Sequence, residues 1–177
     1  MVKILETERL LIRRLEMKDL DALAALYSDR DVRKFFPEGD HGILTYEETK
    51  EELEWFLNGH PTYPELGLWA TIHKETGKFI GRCGLLPWTI DGREEVEIAY
   101  LLDKNFWGQG LATEAARAIL KYGFEKLHLS RLICLIDPNN LASRNVAEKI
   151  GMTVEKEVDG IAGDNFPTVI YSISKHV

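Results

Sequence analysis

Gly108 and Gly110 stand one residue apart between a strand-like run, EVEIAYLLD (Glu95 to Asp103), and a helix-like run from about Leu111 to Lys126. Within that second run Leu111, Ala115, Ala118, Ile119 and Tyr122 recur at helical spacing. RLICLID, Arg131 to Asp137, comes next and is apolar on both faces, as a central, partly parallel strand is. Strand, helix and strand in that order predict two parallel neighbours joined by a right-handed crossover. The rest of the chain has to build outwards from that pair.

It does so in short elements. RLLIRRL, Arg9 to Leu15, reads as a strand, and DLDALAALYS as a helix with Leu20, Leu23, Ala24 and Tyr27 on one face. Phe35 to Thr45, broken by Pro37, Gly39 and Gly42, reads as a loop. TYEETKEELEWFLNG opens with Thr45 and Glu48 at capping-box spacing, turns Leu53, Phe56 and Leu57 inwards, and ends at Gly59. GLWATIH and FIGRCGLL flank KETGK, a hairpin turn at Gly77. NNLASRNVAEKIG is a capped helix that stops at Gly151, and TVEKEVDG and FPTVIYSIS are the last strands. The predicted order is β-α-α-β-β-β-α-β-α-β-β: an α/β (α+β) chain with one mixed sheet, and one domain over residues 1–177.

A helix start offers several unpaired backbone N–H groups and about half a positive charge. Two glycines there remove the side chains that would keep an anion off the backbone. The stretch therefore reads as a phosphate cradle, against the plain alternative of a tight turn with no ligand. It is not a Walker loop, because Leu111 and Ala112 follow Gly110 where Lys and Ser/Thr are needed. Nor is it a dinucleotide fingerprint, since Thr113 stands at the third glycine position.

A net charge of −7 disfavours nucleic acid and is compatible with a cationic partner such as an amine. No apolar run approaches the roughly 18 residues of a membrane span, and Glu and Arg interrupt the N-terminal run where a signal peptide would be apolar. Cys83 and Cys134 lie in apolar runs and read as reduced core residues of a cytoplasmic protein. His41, His60, His73, His128 and His176 make no metal-ligand spacing, so no metal is expected.

NFWGQGLATEA resembles the acetyl-CoA pyrophosphate loop of the GNAT superfamily of acetyltransferases, Gln/Arg-x-x-Gly-x-Gly/Ala between a strand and a long helix. Gly108 and Gly110 match, and Asn105 replaces the usual Gln or Arg. TERLLIRRLEMKDLDAL, WGQGLATEA and NLASRNVAEKIGM, in that order, are similar to the RimJ/RimL-like branch, the ribosomal-protein N-terminal acetyltransferases and their relatives. The resemblance implies a mostly antiparallel sheet whose parallel pair is splayed, with helices on both sides.

It also implies roles. Acetyl-CoA would lie in the splayed gap. Its pantetheine arm would pair with the backbone of Tyr100, Leu101 and Leu102. Its pyrophosphate would meet N–H groups of Trp107, Gly108, Gln109, Gly110, Leu111, Ala112 and Thr113. Asn140 would hold the pantetheine, or serve only as a helix N-cap, and Arg144 would reach the phosphates.

The reaction implied is acetyl transfer to an amine, either a protein N-terminus or a small molecule. That needs a base for the amine's proton and an N–H for the oxyanion. Glu97 is the candidate base, sharing a strand face with Ala99 and Leu101; the alternative is a solvated or ion-paired glutamate beside Glu94 and Glu95. Many members protonate the leaving thiolate with a Tyr seven residues after the cofactor Asn, but here that position is Ala147. Ser143 matches the serine of the branch and would hydrogen-bond the sulfur.

The acceptor site would use the loop around Phe35 to Leu44, the helix near Trp55 and Phe56, and the last loop with Asp159 and Asp164. The last two acids also read as turn residues, and Trp55, Trp69 and Trp88 as core. A homodimer is compatible with the resemblance. The vacant Tyr position leaves open a second reading, a GNAT-like module that senses acyl-CoA without catalysis. A protein-interaction domain with an empty glycine turn is a third.

Overall fold

The computed structural model describes residues 1–36, 42–161 and 163–176. Its elements are β1 (Lys3–Glu6), β2 (Leu10–Arg14), α1 (Leu20–Tyr27), α2 (Arg30–Arg33), α3 (Tyr46–Phe56), β3 (Gly67–His73), β4 (Phe79–Ile90), β5 (Arg93–Leu102), α4 (Leu111–Glu125), β6 (Arg131–Ile136), α5 (Leu141–Lys149), β7 (Thr153–Val158) and β8 (Thr168–Ser174). The strands form one sheet in the order β1-β2-β3-β4-β5-β6-β8-β7. Every neighbouring pair is antiparallel except β5 and β6. The predicted parallel pair is therefore present, joined through α4. It is also splayed: β5 and β6 register only at Glu97 and Ile133.

The expected helix signals act as their chemistry dictates. Thr45 Oγ1 accepts from Glu48 N at 3.2 Å, and Glu48 Oε2 accepts from Thr45 N at 2.7 Å, closing the capping box that starts α3. Two elements were not anticipated, the four-residue edge strand β1 and the single turn α2.

The main core lies on the sheet face that α4 and α5 cover. There Leu111, Ala115 and Ile119 of α4 and Ala147 of α5 pack with Ile98 and Leu102 of β5 and with Trp69. α1 and α3 cover the other face, where Leu20, Leu23 and Leu53 meet Leu101, and Phe56 meets Ala99. Trp69 is a core residue as expected, but Trp55 is not: it is exposed on the outer face of α3, while Leu53 and Phe56 point inwards.

The turn into α1 is held by a buried ion pair. Asp19 accepts from Arg13 Nη1 and Nη2, each at 2.8 Å, and from Glu16 N at 2.8 Å. Asp19→Ala would leave a guanidinium buried without its counter-charge, so it should cost about 3 kcal/mol of folding stability. Chemical denaturation measures this, and a loss below about 1 kcal/mol would contradict it.

Candidate active site

β5 ends at Leu102, and a single 3-10 turn, Lys104–Phe106, carries the chain to Gly108. Both loop glycines are in the left-handed region, φ 73° at Gly108 and 77° at Gly110, where most side-chain-bearing residues are strained. Gly110 is the N-cap of α4 and offers no side chain to the helix start. No described residue accepts a hydrogen bond from the N–H groups of Gly108 through Thr113. A Cβ at Gly108 would meet nothing within 4 Å, so the cradle is open on that side. A run of free N–H donors at a helix start, opened by two glycines, fits a diphosphate. Trp107, expected among these donors, is not one of them: its N–H donates to the Lys104 carbonyl at 3.2 Å, and its Nε1 donates to the Leu102 carbonyl at 2.9 Å, closing the loop onto the end of β5.

Beyond the one registered pair, β5 and β6 diverge. β4 pairs with β5 along the whole length of β5, so its Ala99 to Leu102 edge towards β6 is the free one. Cys134 Sγ approaches the Ile98 carbonyl at 3.4 Å, at the point where the gap opens.

Glu97 sits at the root of this gap. Its Oε2 accepts from Trp88 Nε1 at 2.7 Å. Its register partner Ile133 and its hydrogen-bond partner Trp88 belong to one apolar cluster with Ile161, Ile170 and Leu135. Burial pushes the Glu97 carboxyl up to about 7, against the opposing pull of Trp88, the buried Arg82 guanidinium and the Leu135 N–H. A carboxyl that titrates near neutral pH in an apolar niche can take a proton from an ammonium ion and return it to solvent. Half-buried and hydrogen-bonded to Trp88, it is not a freely solvated strand glutamate. Its neighbour Glu95 is the paired one, accepting from Arg131 Nε at 3.0 Å.

Tyr100 points to the other face of β5, as alternation requires. Its hydroxyl lies 2.9 Å from Ser143 Oγ and donates to the Ser143 carbonyl at 2.9 Å. Burial holds its phenol well above the ordinary tyrosine range, so it stays protonated. The sequence points only to the backbone of Tyr100, because strand alternation names a face but not the helix that covers it. Asn140 is the N-cap of α5, its Oδ1 accepting from Ser143 N at 3.2 Å. Arg144 turns towards the core, donating to Tyr171 Oη at 3.0 Å and to the Pro138 carbonyl at 3.2 Å. Tyr100, Ser143 and Asn140 thus form one cluster, and Glu97 stands apart from it across the strand.

Of the expected acceptor wall, Pro37 to His41 lies outside the described residues. Asp164 acts as a turn residue, its Oδ1 accepting from Ile161 N and Phe166 N, each at 3.0 Å. Deeper on the same face, Arg82 Nε donates to Tyr27 Oη at 2.9 Å, and Tyr27 Oη donates to Glu52.

Residues 9–153 match the family described as Acetyltransferase (GNAT) domain. The chain belongs to the GNAT acetyltransferases. It is 37% identical to uncharacterized protein YkkB of Bacillus subtilis (strain 168) over 87% of this chain and 87% of that one. A second protein of that organism, YdaF, provisionally named a ribosomal N-acetyltransferase, is 34% identical over 95% of this chain and 92% of its own length. That relative bears out the RimJ/RimL-like resemblance. A GNAT-family acetyltransferase structure from Bacillus anthracis superposes with a TM-score of 0.81 at 30% identity, covering 96% of each chain. Among the described residues no helix is long and apolar enough to cross a membrane.

Proposed function

We propose that this GNAT acetyltransferase moves an acetyl group from acetyl-CoA to a primary amine, on a small molecule or a protein N-terminus, by direct attack within a ternary complex. The observation that carries this reading is the coupling of two features on one strand. β5 bears a carboxyl poised at about 7 and leads, through one 3-10 turn, to a helix start whose N-cap is glycine. When bound, acetyl-CoA supplies an activated acyl group on a thiol that leaves readily as thiolate.

The protein's own groups do the rest. The free N–H groups of Gly108 to Thr113 hold the diphosphate. The free edge of β5 over Tyr100 to Leu102 aligns the arm and offers an N–H to the charge that develops on the acyl oxygen. Glu97 takes the proton of the incoming ammonium. Ser143 Oγ faces the sulfur and is held in place by the Tyr100 hydroxyl 2.9 Å away. The free amide hydrogens of Asn140 donate to the arm while its oxygen caps α5. Arg144 would reach the phosphates only after leaving Tyr171. The two buried free thiols, Cys83 and Cys134, are in keeping with a reducing, cytoplasmic setting.

Initial rates measured over a set of primary amines and N-terminal peptides, with released thiol as the readout, test this. Intersecting double-reciprocal lines are expected; parallel lines would mean an acyl-enzyme and overturn direct attack. In the same assay Ser143→Ala should lower kcat by about tenfold while leaving the KM for acetyl-CoA unchanged. A change in KM alone would remove Ser143 from the sulfur.

A further inference from the structure

The opening motif TERLLIRRL has no part in the chemistry above, yet it reaches the glycine loop. Glu114, in the first turn of α4, is gripped from the β1–β2 connection. It accepts from Thr7 Oγ1 at 2.5 Å, from Arg9 N at 2.9 Å and from Arg9 Nε at 2.7 Å. The same guanidinium donates through Nη1 to the Gln109 carbonyl at 2.8 Å. Its Nη2 lies 3.5 Å from where a Cβ on Gly110 would stand. One side chain thus ties the loop before the helix to the first turn of the helix itself.

This grip has two physical consequences. A carboxylate in the first turn of α4 would repel a diphosphate bound at the same helix end. Here both Glu114 oxygens are committed to Thr7 and Arg9, and its charge is matched by Arg9. The second consequence is geometric. In a trans peptide the carbonyl and the following N–H point in opposite directions. Holding the Gln109 carbonyl against Arg9 therefore aims the Gly110 N–H away from Arg9, into the cradle. With glycine on its C-terminal side, this peptide would otherwise turn with little steric restraint.

We propose that Arg9, braced by Glu114, is a cofactor-positioning residue that fixes the Gln109–Gly110 peptide with its N–H turned towards the diphosphate. This rests on the reading that the diphosphate of acetyl-CoA lies in this loop.

Arg9→Ala and the parent protein would be compared by calorimetric titration with acetyl-CoA. S-acetylpantetheine, which has the arm and acyl group but no diphosphate, would be titrated to millimolar concentration by NMR. The expected result is acetyl-CoA binding weakened by about tenfold or more in Arg9→Ala, with the affinity for S-acetylpantetheine unchanged. The side chain is 41% exposed, so the melting temperature without ligand should fall by no more than about 3 °C. Arg9→Lys, which can reach Glu114 or Gln109 but not both in a fork, should fall between the two proteins. Acetyl-CoA affinity unchanged within twofold would overturn the proposal. So would an equal loss for both ligands, which would make Arg9 a brace of the whole fold. A parent protein without affinity for acetyl-CoA would overturn the cradle itself, and this inference with it.

Discussion

Gly110→Asp is expected to bind acetyl-CoA at least about 100-fold more weakly than the parent protein. The new carboxylate would stand at the N-cap of α4 with its Cβ 3.5 Å from Arg9 Nη2, where it would draw Arg9 off the Gln109 carbonyl and add negative charge beside the proposed diphosphate site. Two unit charges about 5 Å apart at an effective dielectric of about 20 repel by about 3 kcal/mol, a little over 100-fold in affinity. Part of any loss would come from backbone strain, since Gly110 has φ 77°. Gly110→Asn separates the two effects. Asparagine has nearly the same shape and tolerates the left-handed region, but carries no charge. It should lose about tenfold or less. Calorimetry on both variants decides the matter: equal affinities would mean that no anion lies at Gly110.

The second large effect is at Glu97. Glu97→Gln keeps the size of the side chain and an acceptor for Trp88 Nε1, but cannot take a proton. A positioned base is worth about 100-fold to 10,000-fold, so kcat should fall by at least about 100-fold, with the affinity for acetyl-CoA preserved. The pH profile carries the sharper signature. The folded carboxyl is raised to about 7, so it is protonated and inactive below that value and ionised above it. Activity of the parent protein should rise through about pH 7 and then level off, unless the amine's own deprotonation extends the rise. In Glu97→Gln the limb near 7 should vanish. A variant with unchanged turnover would point to water as the base. If Ser143→Ala were also silent for every amine tested, the acyl-CoA-sensing reading would gain.

Much of this was legible in the chain because it rests on local chemistry. The capping box at Thr45 and Glu48, the glycine stop after α5 and the start of α4 at Leu111 are each set by neighbours in sequence, and each lies where expected. The parallel pair was legible because β6 is apolar on both faces. β1 was not: four residues with Lys3 and Glu6 at the ends carry no pattern, and only pairing with β2 makes them a strand.

At the site, the identity of the loop could be read but its bracing could not. Arg9 and Glu114 are 105 residues apart, and nothing in their spacing reveals the contact. The Tyr100–Ser143 contact was hidden for the same reason. The Glu97 environment also needed the fold, because the apolar niche is assembled from β4, β6, β8 and the last loop. An Arg144 engaged with Tyr171 is likewise a tertiary fact that the helix sequence does not show.

Calorimetric titration of the parent protein with acetyl-CoA, alongside CoA and ATP, bears on the whole interpretation at once. Acetyl-CoA and CoA should bind with a Kd in the micromolar range, and ATP at least about 100-fold more weakly, since it brings phosphates but no arm for the free edge of β5. No binding of acetyl-CoA, or equal binding of ATP, would contradict it and leave Gly108 and Gly110 as a turn.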